Sequence, residues 1–524
     1  MSVVSQGLNW SRLITKAGLE GRRAGPADPV ITSVVEDSRQ AESGSCFVAT
    51  RGTQVDGHAF VADALRGGAS AIVCERALTL PDTVAALQVD SARGVAGRLA
   101  GVLYGLDRLF SQGRLKVVGI TGTNGKSTFC YLVRAILKAA GHPTAMLGTV
   151  QYDLISRAIE ASMTTPPAAA LMEYLAEAAE AGATHAVMEV SSHALDQGRC
   201  DGLRFAVGVF SNLTGDHLDY HLDRPAYLKA KKRLFDGLDP EAVAVINAED
   251  SASEEMVADC RARVVRYGVC STVDIRAMVH EATEAGTRFE IIVGPETANW
   301  LGARDTACEV TTALVGRHNV QNCLAAAGAA LALGVPLETV AAGLAAVRQV
   351  PGRLQRVIPA GGDHGDNSAG RDPGFTVLVD YAHTDDALAN VLSALRALPT
   401  TKRLIVLFGC GGDRDRSKRP RMAKVAAHWA DRIVVTSDNP RTDNPQQIID
   451  DIMAGFSNEQ RQQVCVEMDR AKAIAEAIAM ADVGDVVLLA GKGHENYQIV
   501  GHERRPFDDV AVAAEVLGRV AAKG

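Results

Sequence analysis

The chain has 524 residues, 47% hydrophobic and 22% charged, with 54 Lys+Arg against 62 Asp+Glu for a net charge of -8. At about 150 residues per domain this length corresponds to roughly three domains, enough to bury several cores without disulfide staples. The acidic balance argues against a generally basic nucleic-acid coat protein, so no nucleic-acid partner is expected.

Residues 1–20 lack a basic stretch followed by an apolar one, so no secretory signal is expected. Short strands are predicted at 46–50 (CFVAT) and 71–74 (AIVC), with a helix over 59–66 stopped by Gly67-Gly68. A linker is predicted around Ser111-Gln112-Gly113. A second unit opens with a strand at 116–120 (KVVGI), a glycine loop, and a helix from Lys126 to about 140, ended by Gly141-His142-Pro143. Strands at 183–190 and 207–213 alternate with helices at 168–181 and 225–238, which implies a mainly parallel sheet with crossover helices. Residues 264–314 read as strand-rich, and 320–347 as helical. After Pro351-Gly352-Arg353, a polar, glycine-rich surface loop spans 361–374. Strands then recur at 376–380, 403–408, 432–436 and 485–490 with helices between, a doubly wound pattern.

The ten cysteines are scattered with no C-x-x-C, which disfavours a disulfide framework or a cysteine zinc site and fits a reducing cytoplasm. No apolar run reaches about 18 residues, so no membrane-spanning helix is expected.

Residues 119–128 (GITGTNGKST) are the most informative stretch. A strand, a glycine loop and a helix in that order close backbone N–H groups on phosphate oxygens at a helix N-terminus. Lys126 is placed to reach the β/γ-phosphates, and the Ser127 hydroxyl to ligate Mg²⁺. The general pattern G-x-x-x-x-G-K-[ST] has glycine where this chain has Ile120, so a glycine-rich turn before a helix is the plain alternative. Glu189, at the end of a predicted strand near this loop, is well placed for a metal ion. His217 and His221 have a spacing compatible with zinc, but H-E-x-x-H is absent, and loop histidines capping helices are the alternative. Lys229, Lys231, Lys232 and Arg233 fit an ordinary solvated helix face. Asn319 fits a helix cap.

The TGTNGKST form resembles the ATP loop of the Mur ligases and folylpolyglutamate synthetases, which join a carboxylate to an amine through an acyl phosphate. The resemblance spans nearly the whole chain. It implies an α/β protein of three domains: a small UDP-binding domain over 1–113, a central P-loop ATPase domain with a parallel sheet over 114–350, and a C-terminal Rossmann-like domain over 351–524. It assigns ATP to Gly122, Thr123, Asn124, Gly125, Lys126, Ser127 and Thr128, with Asn319 and Asn322 at the base, Asp380 at the ribose, and Arg353 and His383 near the phosphates. Mg²⁺ falls to Ser127, Glu189 and His217. Y-x-x-A-K-x-x-L-F at 227–235 is similar to the family segment whose lysine carries a CO₂-derived carbamate, which points to Lys231 as a further metal ligand.

Asp37-Ser38-Arg39 and 52–58 (GTQVDGH) look like the Mur ligase UDP-binding domain, which folylpolyglutamate synthetases lack. By that likeness Ser38, Thr53, Gln54 and Val55 line the uridine diphosphate site. Thr164, Thr165, Ser191, Gln197 and Arg199 hold the muramoyl dipeptide. Residues 409–414 (GCGGDR) fail G-x-G-x-x-G, which excludes a dinucleotide fingerprint.

Asp438, Asn439, Pro440 and Arg441 resemble the DNPR signature of the diaminopimelate-adding branch, and with Arg414, Gly491 and Glu495 they are the expected amino-acid site. An amino acid with a second amino-acid head group needs cations for its carboxylates and an anion for its ammonium, and Arg414, Arg441 and Glu495 supply that set. The implied substrates are ATP, UDP-N-acetylmuramoyl-L-Ala-D-Glu and meso-diaminopimelate, in a cytoplasmic monomer without membrane partners. A lysine-adding relative, or a P-loop nucleotide switch, are the alternatives.

Overall fold

The computed structural model describes residues 7–52, 55–215, 218–221, 223–269, 273–360 and 374–523. Three principal sheets follow one another along the chain. In the first, Ser33–Val35, Ser45–Val48, Ala71–Cys74 and Ala85–Gln88 run parallel, and Arg22–Ala24 closes one edge antiparallel. Ser45–Val48 and Ala71–Cys74 are buried throughout, as expected of strands covered on both faces. The expected helix at 59–66 divides into a 3₁₀ turn, Gly57–Phe60, and an α-helix, Val61–Gly67. Gly68 ends it in the left-handed region at φ +108°.

The second sheet has eleven strands. Thr144–Leu147, His185–Glu189, Lys116–Thr121, Phe205–Phe210, Val243–Asn247, Arg263–Gly268 and Ile275–Thr283 neighbour one another in parallel. The sheet is mainly parallel, as the sequence reading expects, and antiparallel only toward its edges. Gln151–Asp153 and Ala158–Glu160 extend one edge antiparallel, and Gly286–Val293 and Ala307–Thr312 the other. Connection length decides this. Ile275–Thr283 meets Gly286–Val293 through Glu284 and Ala285 alone, too short a link for a parallel crossover.

Helices Lys126–Ala139, Arg317–Ala332 and Leu337–Ala346 pack on one face of this sheet. Ala168–Glu180 and Arg224–Asp236 lie on the other, in a core continuous with that of the first sheet. A Cβ on Gly343 would collide with the backbone of Ile136, so glycine is what lets these two helices touch.

The third sheet orders Thr376–Asp380, Val486–Ala490, Leu404–Phe408, Arg432–Val435 and Val464–Val466 in parallel, with Gln355–Arg356 antiparallel at the edge. Val464–Val466 and the hairpin Tyr497–Val500/Glu503–Pro506 were not expected. The first is three residues in a polar surround, the second half-buried to exposed, and neither carries a clear apolar alternation. Among the described residues no helix is long and apolar enough to cross a membrane. The nine described cysteines are all free thiols.

Parallel strands bring their C-terminal loops to one edge of a sheet. Glu189 pairs in register with Ile120, and Phe210 with Thr121. The carboxylate and the loop beginning at Ser211 therefore flank the glycine loop from opposite sides. In the third sheet the same rule gathers the segments after Phe408, Val435 and Ala490.

Candidate active site

The glycine loop is held by the neighbouring strand end. Thr123 and Asn124 donate their backbone N–H groups to Asn212, each at 2.9 Å, and Ser211 Oγ donates to the Asn124 carbonyl at 2.7 Å. A Cβ at Gly122 would strike Ser211 Oγ, and one at Gly125 (φ +89°) would strike Asn322 Oδ1. These glycines thus permit close approach on both sides of the loop. Lys126 Nζ donates to the carbonyls of Gly122 and Thr123, each at 2.8 Å.

Glu189 is 2% exposed. Its Oε1 accepts from Ser127 Oγ and from the Thr149 N–H, both at 2.8 Å, and Oε2 accepts from Thr149 Oγ1 at 3.0 Å. Gly148 leaves the room for it, because a Cβ there would press on Oε1. Arg353 reaches over from the third unit and donates to Ser127 Oγ at 3.0 Å. A hydroxyl and a carboxylate side by side at the mouth of a phosphate loop are hard oxygen donors of the kind Mg²⁺ takes. His217, the other expected ligand, lies outside the described residues. Among those described, no group of three His, Cys, Asp or Glu side chains gathers into a metal cluster.

Lys231 departs from the solvated-face alternative. It is 1% exposed, donates to the Gly122 carbonyl at 2.8 Å, and lies over the Tyr227 ring with Nζ 4.4 Å from its centre. Lys229 and Arg233 are exposed, and Lys232 is salt-bridged to Asp259 at 2.6 Å. Tyr227 in turn exchanges a hydrogen bond with Thr123 at 3.2 Å. His221 is buried against Ser192, its Nε2 2.9 Å from Oγ.

A cavity of about 430 Å³ joins the loop to the third unit, lined among others by Lys126, Glu189, Lys231, Asn319, Asn322, Arg353, Asp380 and His383. Asn319 is not a helix cap. It lies inside the helix Arg317–Ala332, donates to the Val315 carbonyl at 2.8 Å and accepts from Asn322 at 3.1 Å. Asp380 accepts from the Leu354 and Ala382 N–H groups at 2.7 and 2.8 Å, and burial pushes its carboxyl up. His383 Nδ1 lies 2.9 Å from the Tyr381 carbonyl. Asn124 donates to Asp386 at 3.2 Å, a direct link from the loop to the third unit.

A second cavity, about 670 Å³, adjoins the first. Tyr381, His383 and Asp386 line both. Arg414, Asp438, Asn439, Arg441, Gly491 and Glu495 also line it. Arg441 sits in the left-handed region at φ +50°, its Nη1 donating to the Gly412 carbonyl at 2.8 Å. Asn439 donates to Glu495 at 2.7 Å. Burial and the nearby Asp438 push the Glu495 carboxyl up, against the pull of Lys492 and Asn439. Burial also opposes ionisation of Asp438, but Lys492 and Arg470 outweigh it and hold that carboxyl below its ordinary range.

The remaining expected residues fall into two groups. Thr165 is fully buried, donating to the Glu189 carbonyl at 2.9 Å and accepting from the Ser191 N–H at 3.0 Å. Arg199 donates to the Thr165 carbonyl at 2.9 Å and to Gln197 at 2.6 Å, and Thr164 accepts from Thr149 at 3.1 Å. These five therefore gather beside Glu189. Ser38 opens a short 3₁₀ turn capped by Asp37, and Val55 is 55% exposed. Thr53 and Gln54 lie outside the described residues.

Sequence reasoning missed Glu36, which is exposed, and three buried charges, Lys492, Arg470 and Arg419. Glu36 accepts from the Ala169 N–H at 3.0 Å, which ties the first unit to the second. Lys492 and Arg470 lie behind the second cavity. Arg470 bonds Asp509 at 2.8 and 2.6 Å and reaches the carbonyls of Ser437 and Ala490 at 3.4 and 3.1 Å. Arg419, fully buried, bridges Asp443 and Asp451. Only Lys492 carried a signal, as a lysine between two glycines at a strand end.

The fold and the site define a P-loop nucleotide-binding enzyme of three α/β units. The Mur ligase middle domain matches residues 120–330, the Mur ligase glutamate ligase domain residues 367–493, and the Mur ligase family catalytic domain residues 30–100. The chain is 42% identical over 494 residues to a UDP-N-acetylmuramoyl-L-alanyl-D-glutamate–2,6-diaminopimelate ligase of Solibacter usitatus, covering 94% of each chain. A Bacillus cereus ligase of the same name is 41% identical over 496 residues, again 94% of each. A solved structure of a ligase so named superposes with a TM-score of 0.66 at 31% identity, covering 98% of this chain and 99% of that one. The protein belongs to the Mur ligase family.

Proposed function

We propose that the protein joins meso-2,6-diaminopimelate to UDP-N-acetylmuramoyl-L-alanyl-D-glutamate at the expense of ATP, in the cytoplasm and as a monomer. The observation that carries this reading is the pair of adjoining cavities. One holds the phosphate loop and Glu189, and the other is lined by Arg414 and Arg441 together with Asp438 and Glu495. Cations together with carboxylates suit a substrate that brings both a distal carboxylate and an ammonium. The named relatives act on these substrates by their names. We place the unit divisions after residues 113 and 350.

The γ-carboxylate of the D-Glu residue attacks the γ-phosphorus of ATP, forming an acyl phosphate and releasing ADP. A neutral amine of diaminopimelate then attacks the acyl carbon. The C–N bond forms, the C–O bond to phosphate breaks, and the nitrogen loses a proton as phosphate departs. Lys126 and the helix N-terminus at the glycine loop offset charge on the transferring phosphoryl group. Arg353, already on Ser127, adds a second cation on the same side. Arg199, Gln197, Thr164, Thr165 and Ser191 orient the acceptor carboxylate next to Glu189. Ser127 and Glu189, with His217 and a carbamate on Lys231, are the residues that would hold Mg²⁺. When bound, the ion supplies charge neutralisation at the phosphates. Approach of the third unit to the second positions the amine, since the two cavities draw on both.

Phosphate release, measured with the muramoyl dipeptide and each amino acid in turn, tests this reading. Turnover requires the dipeptide and diaminopimelate together. A lysine-adding enzyme turns over with lysine instead, and a nucleotide switch hydrolyses ATP with neither substrate.

A further inference from the structure

Lys492 lines neither cavity, yet it touches three residues of the second one. Its side chain is completely buried, and Nζ lies 3.3 Å from Asp438, 3.1 Å from Asn439 and 3.3 Å from Glu495. It thus joins two segments, 438–439 after the strand Arg432–Val435 and 491–495 after the strand Val486–Ala490. The flanking glycines have positive φ, +117° at Gly491 and +55° at Gly493, so the backbone turns sharply on both sides of the lysine. Gly493 is packed against Tyr381, where a Cβ would lie 2.6 Å from the tyrosine Cβ.

The charges are unequal. Asp438 and Glu495 both salt-bridge Lys492, while Arg470, whose charge also reaches them, is itself ion-paired with Asp509. We infer that Lys492 is a positioning residue for amino-acid recognition: from beneath the pocket it fixes Asp438, Asn439 and Glu495 in one cluster and cancels one of two negative charges, leaving one for the substrate's distal ammonium. This inference rests on the diaminopimelate reading above.

Two carboxylates this close cannot easily both stay ionised without an intervening cation. Removing Lys492 therefore drives one of them, Glu495, toward its neutral form and takes away the charge that the ammonium needs. The charged and titratable groups facing this cluster are Asp438, Lys492 and Glu495 themselves, Arg470 near both carboxylates, His383 and Cys410 near Asp438, and Tyr381 and Tyr497 around Glu495. Among these, only Lys492 touches both carboxylates.

The experiment compares wild type and Lys492→Met as full-length enzymes by phosphate release at saturating ATP and muramoyl dipeptide. Wild-type turnover with diaminopimelate tests the underlying reading; the variant comparison tests the inference. The expected result is a KM for diaminopimelate raised about tenfold or more, with KM for ATP within about twofold, and a partial recovery of the diaminopimelate KM as pH rises, because Glu495 then ionises unaided. Adding Glu495→Gln to Lys492→Met holds that position uncharged at every pH and is expected to abolish the recovery of the diaminopimelate KM as pH rises; recovery that persists in the double variant overturns the inference. An unchanged KM for diaminopimelate, or equal losses in the KM values of both substrates, overturns the inference. Should Lys492→Met fail to fold, Lys492→Arg takes its place: a diaminopimelate KM within about fivefold of wild type supports a role for the cation, and a larger rise overturns it.

Discussion

Lys126 and Lys231 both donate to the carbonyl oxygen of Gly122, each at 2.8 Å. Two ammonium groups converge on one backbone atom at the mouth of the phosphate loop. One belongs to the loop itself, and the other comes from the buried face of the helix Arg224–Asp236. Like charges at this range repel, and more strongly when buried than in water. A carbamate on Lys231 would turn that repulsion into attraction.

Lys231→Ala is therefore expected to lose ligase activity, with partial rescue by short carboxylic acids that supply an oxygen anion in the space vacated. Intact-mass measurement on the native protein should find one added CO₂. Full activity in the alanine variant would remove the carbamate from the mechanism.

Lys126→Met should lower kcat by about 100- to 1,000-fold, the usual cost of losing one preorganised charge partner at a transferring group. Steady-state phosphate release reads this directly. Its melting temperature should stay near that of wild type, because the two hydrogen bonds lost are to backbone carbonyls at a loop rather than in the core.

Arg441→Ala should raise the KM for diaminopimelate by about 30-fold, near 2 kcal/mol, while leaving the KM for ATP almost unchanged. Arg441→Gly is a useful companion. It relieves the left-handed backbone at φ +50° but removes the same guanidinium, so its substrate affinity should fall as far while its stability holds or rises. Retention of diaminopimelate affinity in either variant would break the assignment of this pocket.

Stability should decline in acid before the carboxylates titrate. Burial and the neighbouring His142 and Lys116 pull His185 down to about 4, and burial does the same to His318. Both are neutral in the folded chain where the unfolded chain, with a pKa near 6.5, has already bound a proton. Stability is highest above pH 6.5, falls as pH drops toward 4, and changes no further from these groups below that. Thermal melts at pH 7 and pH 5 should show the drop, and His185→Gln should lessen it. Identical pH dependence with and without the substitution would place the effect elsewhere.

Much of this was legible in the chain. The phosphate loop showed itself because glycine, lysine and serine must stand in one order between a strand and a helix. Glu189 was marked by its place at a strand end, and the in-register pairing with Ile120 is what brings it to Ser127. Lys231 stood out from its neighbours only by likeness to the family motif. Periodicity left a row of basic residues, and burial of one among them is a tertiary fact. Glu36 and Arg470 were illegible for a related reason. Each is an ordinary charged residue whose partner is distant along the chain: Ala169 for Glu36, Asp509 for Arg470. The antiparallel edge strands Gln151–Asp153 and Ala158–Glu160 escaped because strands of three residues in polar surroundings carry little alternation.

The fully buried pair of Arg470 and Asp509 makes the final helix part of the foundation of the amino-acid pocket. Asp509 begins that helix, Asp509–Lys523, and no residue of it lines either cavity. Yet Arg470, once deprived of Asp509, would keep its charge directly behind Ser437 and Ala490, the residues that lead into the two substrate-facing segments. Breaking such a pair typically costs about 3–5 kcal/mol. Loss of Asp509 is therefore expected to disturb the segments after Val435 and Ala490 before it disturbs the phosphate loop, although Asp509 lines neither cavity.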